Sequence, residues 1–308
     1  MKSIVIPVFN EEEMILQMYE KLVPFLNNED EVLFINDGST DTTVNEIKSL
    51  IEKDRRLKLI NFSRNFGHQP AITAGLQYSE GDVVIVMDCD LQDPPELIPE
   101  LLKKWKEGYD VVHCIRKKRK EPLFKRVSYK LFYWLYTRLS DFETLMDSGD
   151  FSLMSRRVVN EINKMQEKAK FIRGLNLFVG FRHTAIEYER PGRFKGETKY
   201  NLIKLVKLAL DGIFSFTTFP LRIMSFLGFC LLLSSFIMIL VLVYYKLSYK
   251  LLLGHTMTYV LILFFGGINL FCFGIIGEYI GKIFYETKNR PFYIVESFVN
   301  MGVNGKDG

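Results

Sequence analysis

Two long uncharged runs constrain this chain more than any other feature. From Ile223 to Tyr245 there is no Asp, Glu, Lys or Arg, and from Leu251 to Gly277 there is again none. As a helix the first run would span roughly 34 Å, against a hydrocarbon core of about 30 Å. Core helices of soluble domains are usually shorter. The short linker Lys246-Leu247-Ser248-Tyr249-Lys250 therefore predicts a two-helix transmembrane hairpin with both outer ends on one side. Before the hairpin come Arg182, Arg190, Arg193, Lys195, Lys199, Lys204 and Lys207, and after it Lys282, Lys288 and Arg290. Positive charge concentrates on the cytoplasmic side of membrane proteins, so the body of the chain is expected there, at the cell membrane.

Composition narrows the rest. The chain has 308 residues and a net charge of +4, too small to argue for a nucleic-acid partner. Cys89, Cys114, Cys230 and Cys272 show no Cys-x-x-Cys spacing. A disulfide framework or zinc site is not expected, which fits a reducing compartment. Met1-Lys2 leads directly into strand-like Ser3–Val8, with no signal-peptide pattern.

Residues 1–116 alternate strand and helix signals. Strands are expected at Ser3–Val8, Glu31–Ile35, Leu57–Phe62, Asp82–Asp88 and Asp110–Ile115, with helices at Glu12–Leu26, after Asp41, after His68 and over Pro95–Glu107. This is the pattern of a doubly wound, mostly parallel sheet. Polar residues follow the carboxyl ends of these strands: Asn10 and Glu11, Asp37, Arg64, Asp88 and Asp90, and Arg116. Open α/β sheets bind ligands at that edge. No Gly-x-Gly-x-x-Gly or Walker sequence is present.

The densest of these segments is Met87-Asp88-Cys89-Asp90-Leu91-Gln92-Asp93-Pro94-Pro95. A hard divalent cation takes oxygen ligands, commonly one or two carboxylates plus phosphate oxygens. Asp-x-Asp alone describes a solvated acidic turn equally well. Asp93, beside two prolines, reads as turn chemistry rather than as a ligand.

Four segments in order carry a resemblance: Ile4–Glu12, Asn36–Asp41, Ser63–Gln69 and Asp88–Pro94 are similar to the successive motifs of family 2 glycosyltransferases. Further on the chain resembles the polyprenyl-phosphate glycosyltransferases, the dolichol-phosphate mannose synthase and bactoprenol glucosyltransferase group. The resemblance implies a GT-A catalytic domain over 1–200, with a nucleotide-sugar half at 1–116 and an acceptor half at 117–200. An amphipathic juxtamembrane segment at 201–221, two transmembrane helices within 222–280 and a cytoplasmic tail at 281–308 would follow.

The resemblance also implies roles. Pro7, Asn10, Glu11, Asp37, Arg64, Asp88, Cys89 and Arg116 would bind the nucleotide sugar. Asp88, Asp90 and Gln92 would hold Mg²⁺ or Mn²⁺, with Asp90 the first choice for direct contact. Asp150, in Asp147-Ser148-Gly149-Asp150, would act at the acceptor as base or orienting group, with Asp147 its rival. Arg193 and Lys199, in Arg190–Tyr200, and Arg173 would bind a lipid phosphate. The basic, aromatic run Pro122–Leu139 reads either as an interfacial helix or as one packed on the sheet.

The implied reaction is inverting transfer of one sugar, UDP-glucose being the best guess for donor, to undecaprenyl phosphate at the bilayer. Homo-oligomer formation is left open. Another glycolipid or polysaccharide acceptor is the alternative, and a non-catalytic nucleotide-sugar scaffold a third reading. A processive synthase is disfavoured, because Trp105 and Trp134 are the only tryptophans and neither follows an arginine.

Overall fold

The computed structural model describes residues 1–116, 148–165, 167, 170–189, 219–249, 255–288 and 290–301. They divide into two units, one drawn from residues 1–133, 142–198 and 290–308 and the other from 134–141 and 199–289.

The first unit is built on one eight-stranded sheet. Its strands are β1 (Lys2–Val8), β2 (Glu31–Asn36), β3 (Leu57–Phe62), β4 (Val83–Val86), β5 (Val111–Arg116), β6 (Ser148–Ser155), β7 (His183–Tyr188) and β8 (Val295–Val299). Their spatial order is β7-β5-β6-β4-β1-β2-β3-β8. Only β6 and β8 run antiparallel to their neighbours. Alternate residues of each strand feed opposite faces, as a period of two demands. Ile4, Ile6, Val32 and Phe34 enter one core with Ile15, Met18, Leu22, Ile47 and Ile98. Val5, Leu33, Ile35 and Ile60 enter the other with Ala71, Ile72, Leu76, Val158 and Ile162.

Helices α1 (Ile15–Leu22), α2 (Thr43–Lys53) and α4 (Ile98–Lys106) supply the first layer. The second comes from α3 (His68–Tyr78), α5 (Arg156–Lys164) and α6 (Ile172–Phe178). The mostly parallel sheet expected from the alternation is present. Helix α1 is shorter than Glu12–Leu26, because Pro24 turns its end into a 3-10 segment over Val23–Phe25. Helix α3 lies so close to β1 that a Cβ on Gly75 would sit 2.0 Å from Val5 Cγ1.

Two features of this sheet position the site. Strands β2 and β3 lie on one side of β1 and the parallel β4 on the other, so the order of strand addition reverses between β1 and β4. The β1–β4 register ends at Val5–Val86, while β1 continues to Val8 beside β2. Pro7, which has no N–H, falls where β4 has already left. A crevice opens there, at the carboxyl ends of the parallel strands. Strand β6 runs the other way, so its first residues, not its last, reach that edge.

The C-terminal residues differ from the expected tail. The last helix continues to Thr287, and Val295–Val299 forms β8 on the free edge of β3. The tyrosine before it, Tyr293, stacks on Phe62 at 4.9 Å and donates to Gln77 Oε1 at 2.6 Å. Asn300 Nδ2 donates to the carbonyls of Arg55 and Leu57. These bonds join residues more than 200 positions apart, so no local pattern announced them.

The described part of the second unit is two long helices, α7 (Phe219–Tyr249) and α8 (His255–Thr287). Their large apolar side chains are exposed, Leu247, Leu270 and Phe271 among them. Among the described residues one window, Phe264–Gly281, is long and apolar enough to cross a membrane. The run Pro122–Leu139 and residues 201–218 of the expected juxtamembrane segment 201–221 lie outside the described residues, and so do Asp147, Arg193 and Lys199.

Candidate active site

The loops after β1, β2 and β3 are tied together by side chains gripping backbone. Asn10, in the left-handed region at φ 54°, accepts from Thr40 N at 2.8 Å through Oδ1, while its own N–H donates to Ser39 Oγ. Glu11 N–H donates to Thr43 Oγ1. Asp37 is buried, and its two oxygens accept from the backbone N–H of Phe66 at 2.6 Å and Gly67 at 2.9 Å. Burial raises the Asp37 pKa, and the two N–H groups only partly offset that. The carboxylate expected to face a nucleotide therefore also clamps the Ser63–Gly67 loop.

Gly38 permits the clamp: its φ is +72°, and a Cβ there would lie 2.5 Å from the Arg64 carbonyl carbon. Arg64 stands over the Phe66 ring at 4.0 Å. Pro7 is buried in β1, and Arg116 is placed by its backbone alone, as the last residue of β5 opposite Tyr188.

After β4 the chain makes a tight acidic loop. Asp88 N–H donates to Asp93 Oδ2 and Gln92 N–H to Asp90 Oδ1, both at 3.1 Å. Leu91 sits at φ 57°, a conformation L side chains rarely adopt outside constrained loops. Asp93 is fully used inside the fold, since Tyr188 Oη also donates to its Oδ1 at 3.0 Å. It is a structural group, as its place beside two prolines suggested. Cys89 departs from its expected role. Its side chain is 3% exposed, packs in the first core, and has its thiol pKa pushed up by burial.

Asp88 is the electrostatic focus. Burial, then the Asp93 carboxylate, push its pKa up to about 7; His68 opposes, and Asp90 and Asp150 add to the rise. Gln92 Oε1 is buried without a hydrogen-bond partner. No group of three His, Cys, Asp or Glu side chains among the described residues encloses a metal by itself. A crowded carboxylate beside an orphaned amide oxygen nevertheless suits a hard cation whose remaining ligands come from substrate phosphate. The donor set therefore fits the expected metal.

From the other side comes Asp150, near the start of β6, with its side chain 9% exposed. Arg173, on α6, holds it with both arms, Nε to Oδ1 at 2.8 Å and Nη2 to Oδ2 at 3.0 Å. Gln69 Nε2 donates to Oδ1 at 3.3 Å. His68 Nε2 lies 3.3 Å from Oδ2 and 3.6 Å from Asp88 Oδ1. Burial alone would raise the Asp150 pKa, but His68 and Arg173 outweigh it and hold the group far below the usual carboxylate range. Burial likewise works to lower the His68 pKa, and the Asp150 hydrogen bond with the Asp88 charge carries it above its ordinary value.

Arg173 was expected at a lipid phosphate; its guanidinium is instead engaged by Asp150. His68 and Gln69 lie within the Ser63–Gln69 motif, but no role was assigned to them. The signal available was a histidine directly after Gly67, at the start of a helix following a strand end.

The model of glycosyl transferase family 2 matches residues 3–162. The uncharacterized glycosyltransferase YkcC of Bacillus subtilis is 45% identical over 99% of this chain and 95% of its own length. A prophage bactoprenol glucosyl transferase homolog of Escherichia coli is 42% identical over 96% of this chain and 98% of its own. Among solved structures, S. aureus TarS 1–349 in complex with UDP-GlcNAc has a TM-score of 0.48 at 17% identity, covering 70% of this chain and 65% of that one. The chain belongs to glycosyl transferase family 2. It is a glycosyltransferase with a GT-A-like α/β fold and a mostly parallel sheet.

Proposed function

We propose that the protein transfers a single sugar, with inversion, from a nucleotide sugar to a polyprenyl phosphate at the cytoplasmic face of the cell membrane. UDP-glucose is the favoured donor and undecaprenyl phosphate the favoured acceptor. The observation that carries this reading is the convergence of two carboxylates, Asp88 from the end of β4 and Asp150 from the start of β6, on His68. Asp88 sits in the acidic loop closed by Asp93, and Asp150 is held by Arg173 of α6. The similarity to a bactoprenol glucosyl transferase homolog over nearly the whole chain supports the choice of acceptor.

Asn10, Glu11, Asp37 and Arg64 form the nucleotide wall. Asp88, Asp90 and Gln92 would hold Mg²⁺ or Mn²⁺, which when bound supplies positive charge against the departing pyrophosphate. A phosphate monoester has a second pKa near 6 and is largely dianionic at pH 7. Its oxygen attacks the anomeric carbon from the face opposite the nucleotide, the bond from that carbon to the nucleoside diphosphate breaks, and no proton need be removed. That suits Asp150, which is held ionised and is a poor proton acceptor. Its anionic charge would repel a phosphate, and Arg173 and His68 compensate it.

Helices α7 and α8 are read as the transmembrane hairpin. The chain re-enters the first unit to pair β8 with β3, so any crossings must be even in number. The test is incubation of the purified protein with undecaprenyl phosphate, Mg²⁺ or Mn²⁺ and each labelled nucleotide sugar, followed by lipid extraction. Labelled lipid with one donor is expected; none with any donor sinks the proposal.

A further inference from the structure

His68 and Gln69 open α3 and between them reach Asp150, Asp88 and the first turn of α6. Gln69 Nε2 donates to Asp150 Oδ1 at 3.3 Å, and its Oε1 accepts from Ile172 N–H at 3.0 Å. One amide thus pins both Asp150 and the first turn of α6, which carries Arg173. His68 Nε2 stands between Asp150 Oδ2 and Asp88 Oδ1. The residue before it, Gly67, donates its N–H to Asp37 Oδ2 at 2.9 Å. Three consecutive residues therefore link the nucleotide wall, the acidic loop after β4 and the start of β6.

We propose that His68, with Gln69 beside it, is a positioning residue that fixes the acceptor-side carboxylate of Asp150 against the donor-side carboxylate of Asp88. The inference rests on the reading of the site given above. Inverting transfer needs the acceptor oxygen in line with the departing group, and small misplacements are costly to rate. Asp150 reaches the edge from a reversed strand and Asp88 from a parallel one. His68 Nε2 lies within 4 Å of both carboxylates and its imidazole carries an N–H donor. Its imidazole keeps 43% of its surface accessible, so it borders the crevice itself.

The experiment compares the purified full chain with His68→Ala, His68→Gln and Gln69→Ala. Gln carries an amide N–H at a reach similar to imidazole Nε2 and is the conservative variant. Loss of a hydrogen bond to a charged group predicts a fall in kcat of roughly 10- to 100-fold in His68→Ala. The affinity for UDP with Mn²⁺, measured by calorimetry, should move less than about 3-fold, because donor binding is not what the residue supplies. His68→Gln should recover most of the lost kcat. Unchanged kcat in His68→Ala, a loss that appears in nucleotide affinity instead, or a Gln variant no better than Ala would each overturn the proposal.

If the wild-type protein transfers no sugar to any acceptor, the proposed function fails, and a second readout decides the placement. The imidazole ¹⁵N–¹H signals that vanish in His68→Gln should shift in Asp150→Asn and stay put in Glu107→Gln. Signals indifferent to Asp150→Asn refute the positioning role independently of turnover.

Discussion

Replacing Asp150 by Asn tests the acceptor side most directly. The carboxylate accepts from Arg173 twice and from Gln69, and His68 Nε2 lies 3.3 Å from its Oδ2. An asparagine keeps one acceptor oxygen and turns an NH₂ toward the donors around the other. Two charge-assisted bonds are lost, each worth about 1.5–3 kcal/mol. Arg173 and His68 side chains are 40% and 43% exposed and regain water, so the net cost should be smaller. We expect about 2–3 kcal/mol, or a fall in Tm of roughly 5–10 °C at about 2–4 °C per kcal/mol. Activity should fall about 10- to 100-fold but remain measurable, because a dianionic acceptor needs no base. Asp90→Ala should abolish transfer under the same conditions. The assay is labelled-lipid formation on purified variants at 25 °C, well below both melting points. If Asp150→Asn is dead while Asp90→Ala turns over, the argument from acceptor ionisation is refuted.

Three other perturbations follow from the same structure. Gly38→Ala forces a side chain into a +72° backbone and against the Arg64 backbone, so it should release the Asp37 clamp; nucleotide affinity by calorimetry should drop at least about tenfold, and an unchanged affinity would remove the clamp from the donor site. His113 is buried, lies 3.2 Å from His183, and has its pKa lowered to about 4 by burial and then by that neighbour. The unfolded chain takes up this proton first, so stability is lost as pH falls from about 6.5 to about 4, amounting to about 2 kcal/mol at pH 5; His113→Gln should shrink the pH 7 to pH 5 difference in melting temperature by about 4–8 °C, and an identical difference counts against the depressed pKa. Tyr293→Ala removes the stack on Phe62 and the bond to Gln77; denaturant titration should show a loss of about 2–3 kcal/mol, whereas a neutral effect would mean that the segment before β8 contributes little to the sheet.

The amino-acid sequence by itself determined the mostly parallel α/β architecture and which polar residues stand at the strand ends. Short, nearly continuous apolar strands alternating with amphipathic helices dictate a doubly wound sheet, and the two uncharged runs set α7 and α8 apart. Asp37, Asp88 and Asp150 were visible because each sits in a short polar motif at the end or start of a strand. What only the tertiary structure decided was which groups face one another. The pairing of Arg173 with Asp150 joins residues on separate elements, and no spacing predicts it. Cys89 points into the core because the loop after β4 is closed by Asp93 and Asp90 and bent at Leu91. Strand β8, Val-Glu-Ser-Phe-Val, is too short to announce itself until β3 offers it a free edge. His68 acquires its place between two carboxylates only because a reversed strand brings Asp150 to the edge where β4 ends. Local chemistry chooses elements within a few residues, whereas a site is set by long-range packing that no window of sequence contains.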